Sequence, residues 1–404
     1  MTALRIGIID RASPGWEGGG VYSRTAARSL TTACAASGDE VFFLTQAASA
    51  PAGTERLQLE PFDFFPGERQ LRRALSIPPR EGAIPGEARI RRALHLGDRS
   101  DPFDVARRHR LSVLFPVPWV PVRTSGVRAI GWIPDFQHLF LPELFSGAEL
   151  HLRDHGFRQL GRRADAVVLS SEAARRHLQA FDPSSLPKAR VVPFASRFAH
   201  DPPVARDPSE TLRKYQLPPR FALVVNQFWA HKDPGVVVEA AARLRAQGIT
   251  VPVVLVGLPL DYRDPQNRTL SSLLQAIAAN GLWGQCSPLG RVAEHELIDL
   301  LRCAALILQP SRFEGWNTTL EDAKALGRPV LCSDLEVHRE QCPDALGFFP
   351  PGDAPALAAL LARTWPALAA GPDAGAESHA LESARAFARL QGQRLLEVCR
   401  QVVR

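Results

Sequence analysis

Two glutamates, Glu314 and Glu321, stand on either side of the turn Gly315-Trp316-Asn317-Thr318 in the stretch FEGWNTTLEDAKALGRP, Phe313 to Pro329. Thr318-Thr319-Leu320-Glu321 has the form of a capping box, with Thr318 as N-cap and Glu321 folding back to a free backbone N–H. Gly327 then ends the helix and Pro329 prevents its continuation. This accounts for Glu321 but not for Glu314, Gly315 or Trp316. A second chemistry is open to the same residues. The free N–H groups and positive dipole end of the helix can receive a diphosphate, and Glu321 can then meet a ribose hydroxyl.

A cation for such a diphosphate is available in VVNQFWAHKDPG, where Lys232 lies just beyond an apolar strand and just before a helix. Lysine is scarce in this chain. Of 48 basic residues only Lys188, Lys214, Lys232 and Lys324 are lysines. A lysine kept where arginine is the rule marks a place where a compact ammonium fits and a planar guanidinium does not.

Elements able to position these groups are legible in the second half. Strands are expected at Phe221–Gln227, Val251–Gly257, Ser287–Gly290, Ala305–Ser311 and Pro329–Asp334, with helices at Gly235–Gln247, Leu270–Asn280 and Glu294–Cys303. The first half repeats the rhythm. Its strands are expected at Leu4–Asp10, Asp39–Gln46, Leu111–Val117, Val127–Asp135, Ala166–Ser171 and Ala189–Ala195, and its helices at Tyr22–Ala36, Glu149–Arg163 and Glu172–Phe181. Short apolar strands alternating with helices mean βαβ units, parallel sheets and helices on both faces. Two doubly wound domains are therefore expected, joined by the Pro- and charge-rich stretch His200–Pro219, with a cleft between them. Ligands of such sheets bind outside the carboxyl ends of the strands.

Length and composition agree. A chain of 404 residues suits two domains, and 45% hydrophobic with 22% charged residues is ordinary for a water-soluble globular protein. No apolar run reaches the ~20 residues that span a bilayer. MTALRIGIIDRAS enters a strand at once, without the charged start and apolar centre of a signal peptide. Cys34, Cys286, Cys303, Cys332, Cys342 and Cys399 show neither a CxxC pair nor metal-ligand spacing, so reduced thiols in a cytoplasm are expected.

After the first strand, RASPGWEGGGVYSR places Gly15, Gly18, Gly19 and Gly20 between strand and helix. A nicotinamide site needs GxGxxG spacing and an acidic residue after the second strand, whereas Thr45-Gln46 stands there. The glycine loop can still bring backbone N–H groups to a phosphate or a sugar.

Together PSRFEGWNTTLEDAKALGRPVLCSD and GFFPPGDAPALAALL resemble the donor-binding signature of retaining family 4 glycosyltransferases with the GT-B fold. Gly19-Gly20, Lys232 and LGRVAEHEL (Leu289–Leu297, with Val292 near the base) match further features, so the resemblance runs from about Ile6 to Leu361. It implies two Rossmann-like domains with parallel sheets facing across a cleft. The acceptor domain would be 1–199, the linker 200–219 and the donor domain 220–375, followed by a C-terminal helix at 376–404 able to pack on the first domain. It implies that Glu314 contacts donor-sugar hydroxyls, that Gly315, Trp316, Asn317 and Thr318 present backbone donors, that Glu321 holds the ribose, and that Lys232 neutralises the leaving diphosphate. No metal and no cofactor beyond the nucleotide-sugar donor is implied, since lysine and the helix dipole do the electrostatic work.

Two departures stand out. Six residues separate the glutamates where the family's commonest form has seven, and Gln227 occupies the position where an arginine often precedes the lysine. NQFWAHKD and IPDFQHLFLPE are similar to a bacterial subgroup associated with surface-polysaccharide assembly. On that likeness Asp135 and His138 are expected to contact the donor sugar or the acceptor hydroxyl.

The expected partners are a nucleotide-diphosphate sugar (UDP- or GDP-linked) and a glycan or lipid-linked glycan acceptor, with no nucleic acid. The expected place is the cytoplasm, free or at the inner face of the membrane. Between Ala48 and Arg110 the βα rhythm fails. Glu68–Arg110 carries eleven arginines against six acidic residues, which suits a phosphate-bearing acceptor or an anionic membrane surface, or else a solvated insertion. A sugar-nucleotide epimerase of the same fold and a non-catalytic sugar-nucleotide-binding scaffold are the competing readings.

Overall fold

Runs of four to seven apolar residues leave no polar face for water, so they pair where both sheet faces can be covered. In the computed structural model, which describes residues 3–12, 17–59, 102–120, 126–204, 206–261 and 263–404, these runs form two separate parallel sheets. The chain divides into one unit of residues 1–195 with 387–404 and a second of residues 196–386. The six cysteines are unpaired and buried.

In the first unit the strands are β1 (Arg5–Ile9), β2 (Glu40–Thr45), β3 (Glu55–Gln58), β4 (Val113–Val117), β5 (Arg128–Ile133), β6 (Ala166–Leu169) and β7 (Ala189–Val191). They pair in parallel in the order β3-β2-β1-β4-β5-β6-β7. One face packs Ile9, Phe42, Leu44, Leu114, Ala129 and Ile133 against Phe103, Phe136, Phe157 and Leu160. Helix Gly147–Arg163 starts at Ser146 with a reciprocal Ser146–Glu149 capping box, two residues before the expected start.

Two expectations are revised here. The region of broken rhythm is narrower than 48–110, because Glu55–Gln58 adds an edge strand and Pro102–Arg108 is a helix with Phe103 and Val105 buried. The basic pieces between them lie outside the described residues. The helix expected from Tyr22 begins at Glu17, so Gly18, Gly19 and Gly20 occupy its first turn rather than a loop.

The second unit contains β8 (Ala222–Val225), β9 (Val253–Val256), β10 (Cys286–Gly290), β11 (Leu306–Gln309), β12 (Val330–Ser333) and β13 (Gly347–Phe349). All pairings are parallel in the order β10-β9-β8-β11-β12-β13. Counted within the unit this is 3-2-1-4-5-6, the doubly wound order whose topological switch lies between its first and fourth strands. Here those strands are β8 and β11. The stretch expected as a linker carries the helix Ser209–Lys214, whose Thr211 hydroxyl donates to buried Asp299 at 2.6 Å and whose Lys214 pairs with Glu296. Helix Ala374–Val403 closes the chain, and its residues from Phe387 onward belong to the first unit.

Candidate functional site

At the carboxyl ends of β8 and β11 the apolar strands give way to amides. Asn226 Nδ2 donates to Gln309 Oε1 at 2.7 Å and Gln309 Nε2 returns a bond to Asn226 Oδ1 at 3.2 Å. This locks the two strand ends at the switch point. Gly257 lets β9 pass close beside them, since a Cβ there would stand 1.8 Å from the Asn226 carbonyl oxygen. The chain then turns through Ala230–Lys232 into helix Pro234–Ala246, and the Arg312 amide donates to the His231 carbonyl at 2.7 Å. The loops after β8 and β11 are thereby tied together.

That tie brings Lys232 and Glu314 into contact. Lys232 Nζ lies 2.6 Å from Glu314 Oε1. The same oxygen accepts from Ser311 Oγ at 2.7 Å, Asn317 Nδ2 at 3.0 Å and Gln309 Nε2 at 3.2 Å. Glu314 Oε2 has no hydrogen-bond donor among the described residues. One oxygen of the carboxylate anchors it, and the other is left to accept hydroxyl hydrogens. Behind Ser311, the Ser333 hydroxyl donates to the Ser311 carbonyl at 2.5 Å, and His338 Nδ1 donates to the Ser333 carbonyl at 2.9 Å. His338 is fully buried, and burial pushes its pKa below the ordinary histidine value.

Helix Thr318–Ala325 overturns the capping-box expectation. Its N-cap is Asn317, whose Oδ1 accepts the Leu320 amide at 3.0 Å. Glu321 therefore sits one position beyond the reach of a capping box, and its side chain turns to Lys324 Nζ at 3.0 Å and Gln341 Nε2 at 2.9 Å. Both bonds fall on Oε1, so Glu321, like Glu314, keeps Oε2 without a protein donor among the described residues. Burial raises the Glu321 pKa, and Lys324 and Gln341 oppose that rise. The next residue, Asp322, is held by the Ser196 hydroxyl at 2.6 Å and by Arg197 at 3.4 Å. Gly327, with φ of +64°, ends the helix as expected. The amides of half-buried Thr318 and Thr319 have no partner among the described residues, which makes this helix start a ready anion receptor.

The remaining expected donor-site residues flank this set. Gly315, Trp316 and Val292 are half-buried, Val292 just beyond β10 and packed against the core. Gln227 is half-buried and brings no charge. Nearby cations are elsewhere: exposed Arg312, and Arg263, which pairs with Asp261 at 3.2 Å and lies over the Trp229 ring at 5.0 Å.

In the first unit, His138 is not placed to meet a sugar. It is 2% exposed and surrounded by the rings of Phe136, Phe145, Phe157 and Phe181, with Nε2 donating to Asp154 at 3.0 Å. Burial holds its pKa down, so it is a neutral core histidine. Asp135 accepts from the Gln137 amide at 2.9 Å and from Arg153 at 3.1 Å. Burial acts to raise its pKa, but the Arg153 charge and the Gln137 amide keep it below the usual carboxylate value. The Gly19 and Gly20 carbonyls each lie 3.1 Å from the Ser23 hydroxyl, which is also 3.3 Å from Asp10. Asp10 was missed by sequence reasoning. It is buried at the end of β1 and accepts from Thr45 Oγ1 at 2.7 Å. Also missed were Asn226, Gln309, Ser311, His338 and Gln341. Only the first two had a signal, an amide ending an otherwise apolar strand. Among the described residues no group of three or more His, Cys, Asp and Glu is arranged to hold a metal ion.

Residues 210–364 match the family model for glycosyl transferases group 1. That span takes in all six strands of the second sheet together with Lys232, Glu314 and Glu321. Comparison with curated proteins finds no match. Among solved structures, a glycosyltransferase from Rickettsia africae superposes with a TM-score of 0.62 at 13% identity, covering 100% of both chains. Sucrose-phosphate synthase from Thermosynechococcus elongatus gives 0.62 at 17% identity, over 99% of this chain and 94% of that one. The Anabaena protein HepE, in complex with UDP and glucose, gives 0.57 at 16% identity, over 99% and 98%. At such identities the likeness is one of fold. The family match lies within the second unit, and across the whole chain the likeness is to the GT-B fold.

Proposed function

We propose that this chain is a retaining, family 4-type hexosyltransferase. It would move a sugar from a UDP- or GDP-linked donor to a glycan acceptor, lipid-linked, in bacterial surface-polysaccharide or glycoconjugate synthesis, at the inner face of the membrane. The observation that carries this reading is the set of groups at the β8–β11 switch point. Lys232 supplies the cation, the Thr318 and Thr319 amides supply donors at a helix start, and Glu314 and Glu321 each offer one oxygen. Such a set suits a diphosphate, a hexose and a ribose in turn. In the reaction, the bond from the anomeric carbon to the leaving phosphate oxygen breaks while the acceptor oxygen bonds that carbon on the same face. The acceptor proton passes to the departing phosphate oxygen, so no separate base is required. Lys232 and the helix dipole stabilise the charge that develops on the diphosphate, without a catalytic metal.

The HepE complex makes UDP-glucose the first donor to try. A panel of nucleotide sugars assayed for free nucleoside diphosphate, with and without EDTA, tests the reading, and NMR of the product reports the anomeric configuration. Release of UDP or GDP that survives EDTA, with retained configuration, is expected. No nucleotide release from any donor, or an epimerised sugar nucleotide as the product, would rule it out.

A further inference from the structure

We infer that Gln341 is the positioning residue for the ribose-binding carboxylate, an inference that rests on the donor-site reading above. Gln341 ends helix Glu336–Gln341, lies outside the signature stretch, and is 2% exposed. Its side chain reads the backbone of one residue with both ends. Nε2 donates to the Asn317 carbonyl at 2.7 Å, and Oε1 accepts the Asn317 amide at 3.1 Å. The second Nε2 hydrogen goes to Glu321 Oε1 at 2.9 Å. This pattern sets the amide orientation, since a flipped group would set N–H against N–H and oxygen against oxygen.

The residues it grips are the ones that shape the site. Asn317 caps helix Thr318–Ala325 through Oδ1 and donates to Glu314 Oε1 through Nδ2 at 3.0 Å. Lys324 closes a ring, donating to Glu321 Oε1 at 3.0 Å and to the Gln341 carbonyl at 2.8 Å. One buried amide thus connects the two glutamates. It also directs Glu321, which burial alone would leave free to rotate or to protonate, so that Oε2 is the oxygen offered to the ligand. No other side chain type at position 341 can donate twice and accept once in this geometry.

A purely packing role for Gln341 would change stability and leave recognition of the ribose alone, which makes the ratio of affinities for ribose and deoxyribose ligands the decisive measurement. The full-length protein is titrated calorimetrically with UDP and 2′-deoxy-UDP, and with GDP and 2′-deoxy-GDP. The variants are Gln341→Met, which keeps the volume and loses all three bonds, and Gln341→Glu, which sets a carboxylate against Glu321. The second serves if the first fails to fold, as judged by its melting curve. The wild type should favour the ribose form about tenfold or more, the worth of a hydrogen bond to a charged group. Either variant should bring the ratio to within about threefold of unity, whatever the change in affinity shared by both forms. A folded variant that keeps the wild-type ratio overturns the inference and leaves the donor site standing. A wild type that binds neither pair, or does not distinguish ribose from deoxyribose, overturns the ribose assignment and this inference with it.

Discussion

The ammonium of Lys232 rests 2.6 Å from Glu314 Oε1, with only 12% and 8% of the two side chains exposed. At that distance and burial the two charges largely cancel, so a diphosphate must draw Lys232 away from the carboxylate to gain its full charge. Glu314→Gln should therefore bind free UDP more tightly, by roughly threefold or more, while sugar transfer falls because the hexose loses its acceptor. Calorimetry beside a transfer assay checks both halves. Weaker UDP binding would show that Glu314 does not hold the lysine back.

Lys232→Ala removes the partner of the leaving diphosphate and should lower turnover by ~10²–10³-fold, as for other preorganised electrostatic contacts. The loss should appear mainly in kcat. A turnover number within about threefold of the parent would remove Lys232 from the mechanism.

Glu321→Gln keeps an oxygen for Lys324 and Gln341, so the fold should persist with an unchanged melting curve. Nucleoside diphosphate affinity should nevertheless fall about tenfold, because the end left facing the ribose is then an NH2 group, which cannot accept a hydroxyl hydrogen. Unchanged affinity by calorimetry would return Glu321 to a structural role.

Acidification should weaken the fold through its buried histidines. His138 and His338 have pKa values pushed by burial below the ordinary 6.5. Between that value and the depressed one, the unfolded chain binds more protons than the folded chain, so stability rises with pH and is lost as pH falls below about 6.5. Burial raises Glu321 and Asp322, whose contribution has the opposite sign. The histidine share is isolated by comparing melting of the parent and His138→Phe between pH 7.5 and 5. The variant, which puts a phenyl ring among the surrounding phenyl rings, should show the shallower pH dependence, and parallel curves would refute the buried neutral state.

The arginines of the unmatched region supply a further test that depends on sequence alone. Replacing Arg72, Arg73, Arg91 and Arg92 with glutamine should impair transfer to the acceptor and spare slow hydrolysis of the donor. Flotation with anionic liposomes separates membrane docking from acceptor contact. Normal transfer together with normal flotation would make these residues a solvated surface.

What the sequence determined by itself is whatever rests on neighbours along the chain. Apolar runs of strand length between amphipathic helices dictate two doubly wound sheets, because such runs can be buried only between layers. Glu314, Lys232 and the helix start at residues 317–318 were visible for the same reason, being a spacing at the end of a strand. The reading failed where two local options differed little in energy. Thr318 and Asn317 are both competent N-caps, and the choice went to Asn317 once Gln341 held its backbone from 24 residues away. Gly18, Gly19 and Gly20 have poor helix propensity, yet the helix runs through them, since burial of Tyr22, Ala26, Ala27 and Leu30 outweighs the local cost.

Only the tertiary structure decided which polar side chains support the site and which fill the core. His138 reads as a ligand contact in one dimension and becomes a core residue when Phe145, Phe157 and Phe181 arrive around it from later elements. Gln341 carries no signal in one dimension and becomes the group that orients Glu321. A hydrogen bond is defined by distance and angle between partners, and for these residues the partners come from separate strands and helices. Their roles existed only once the sheets were assembled.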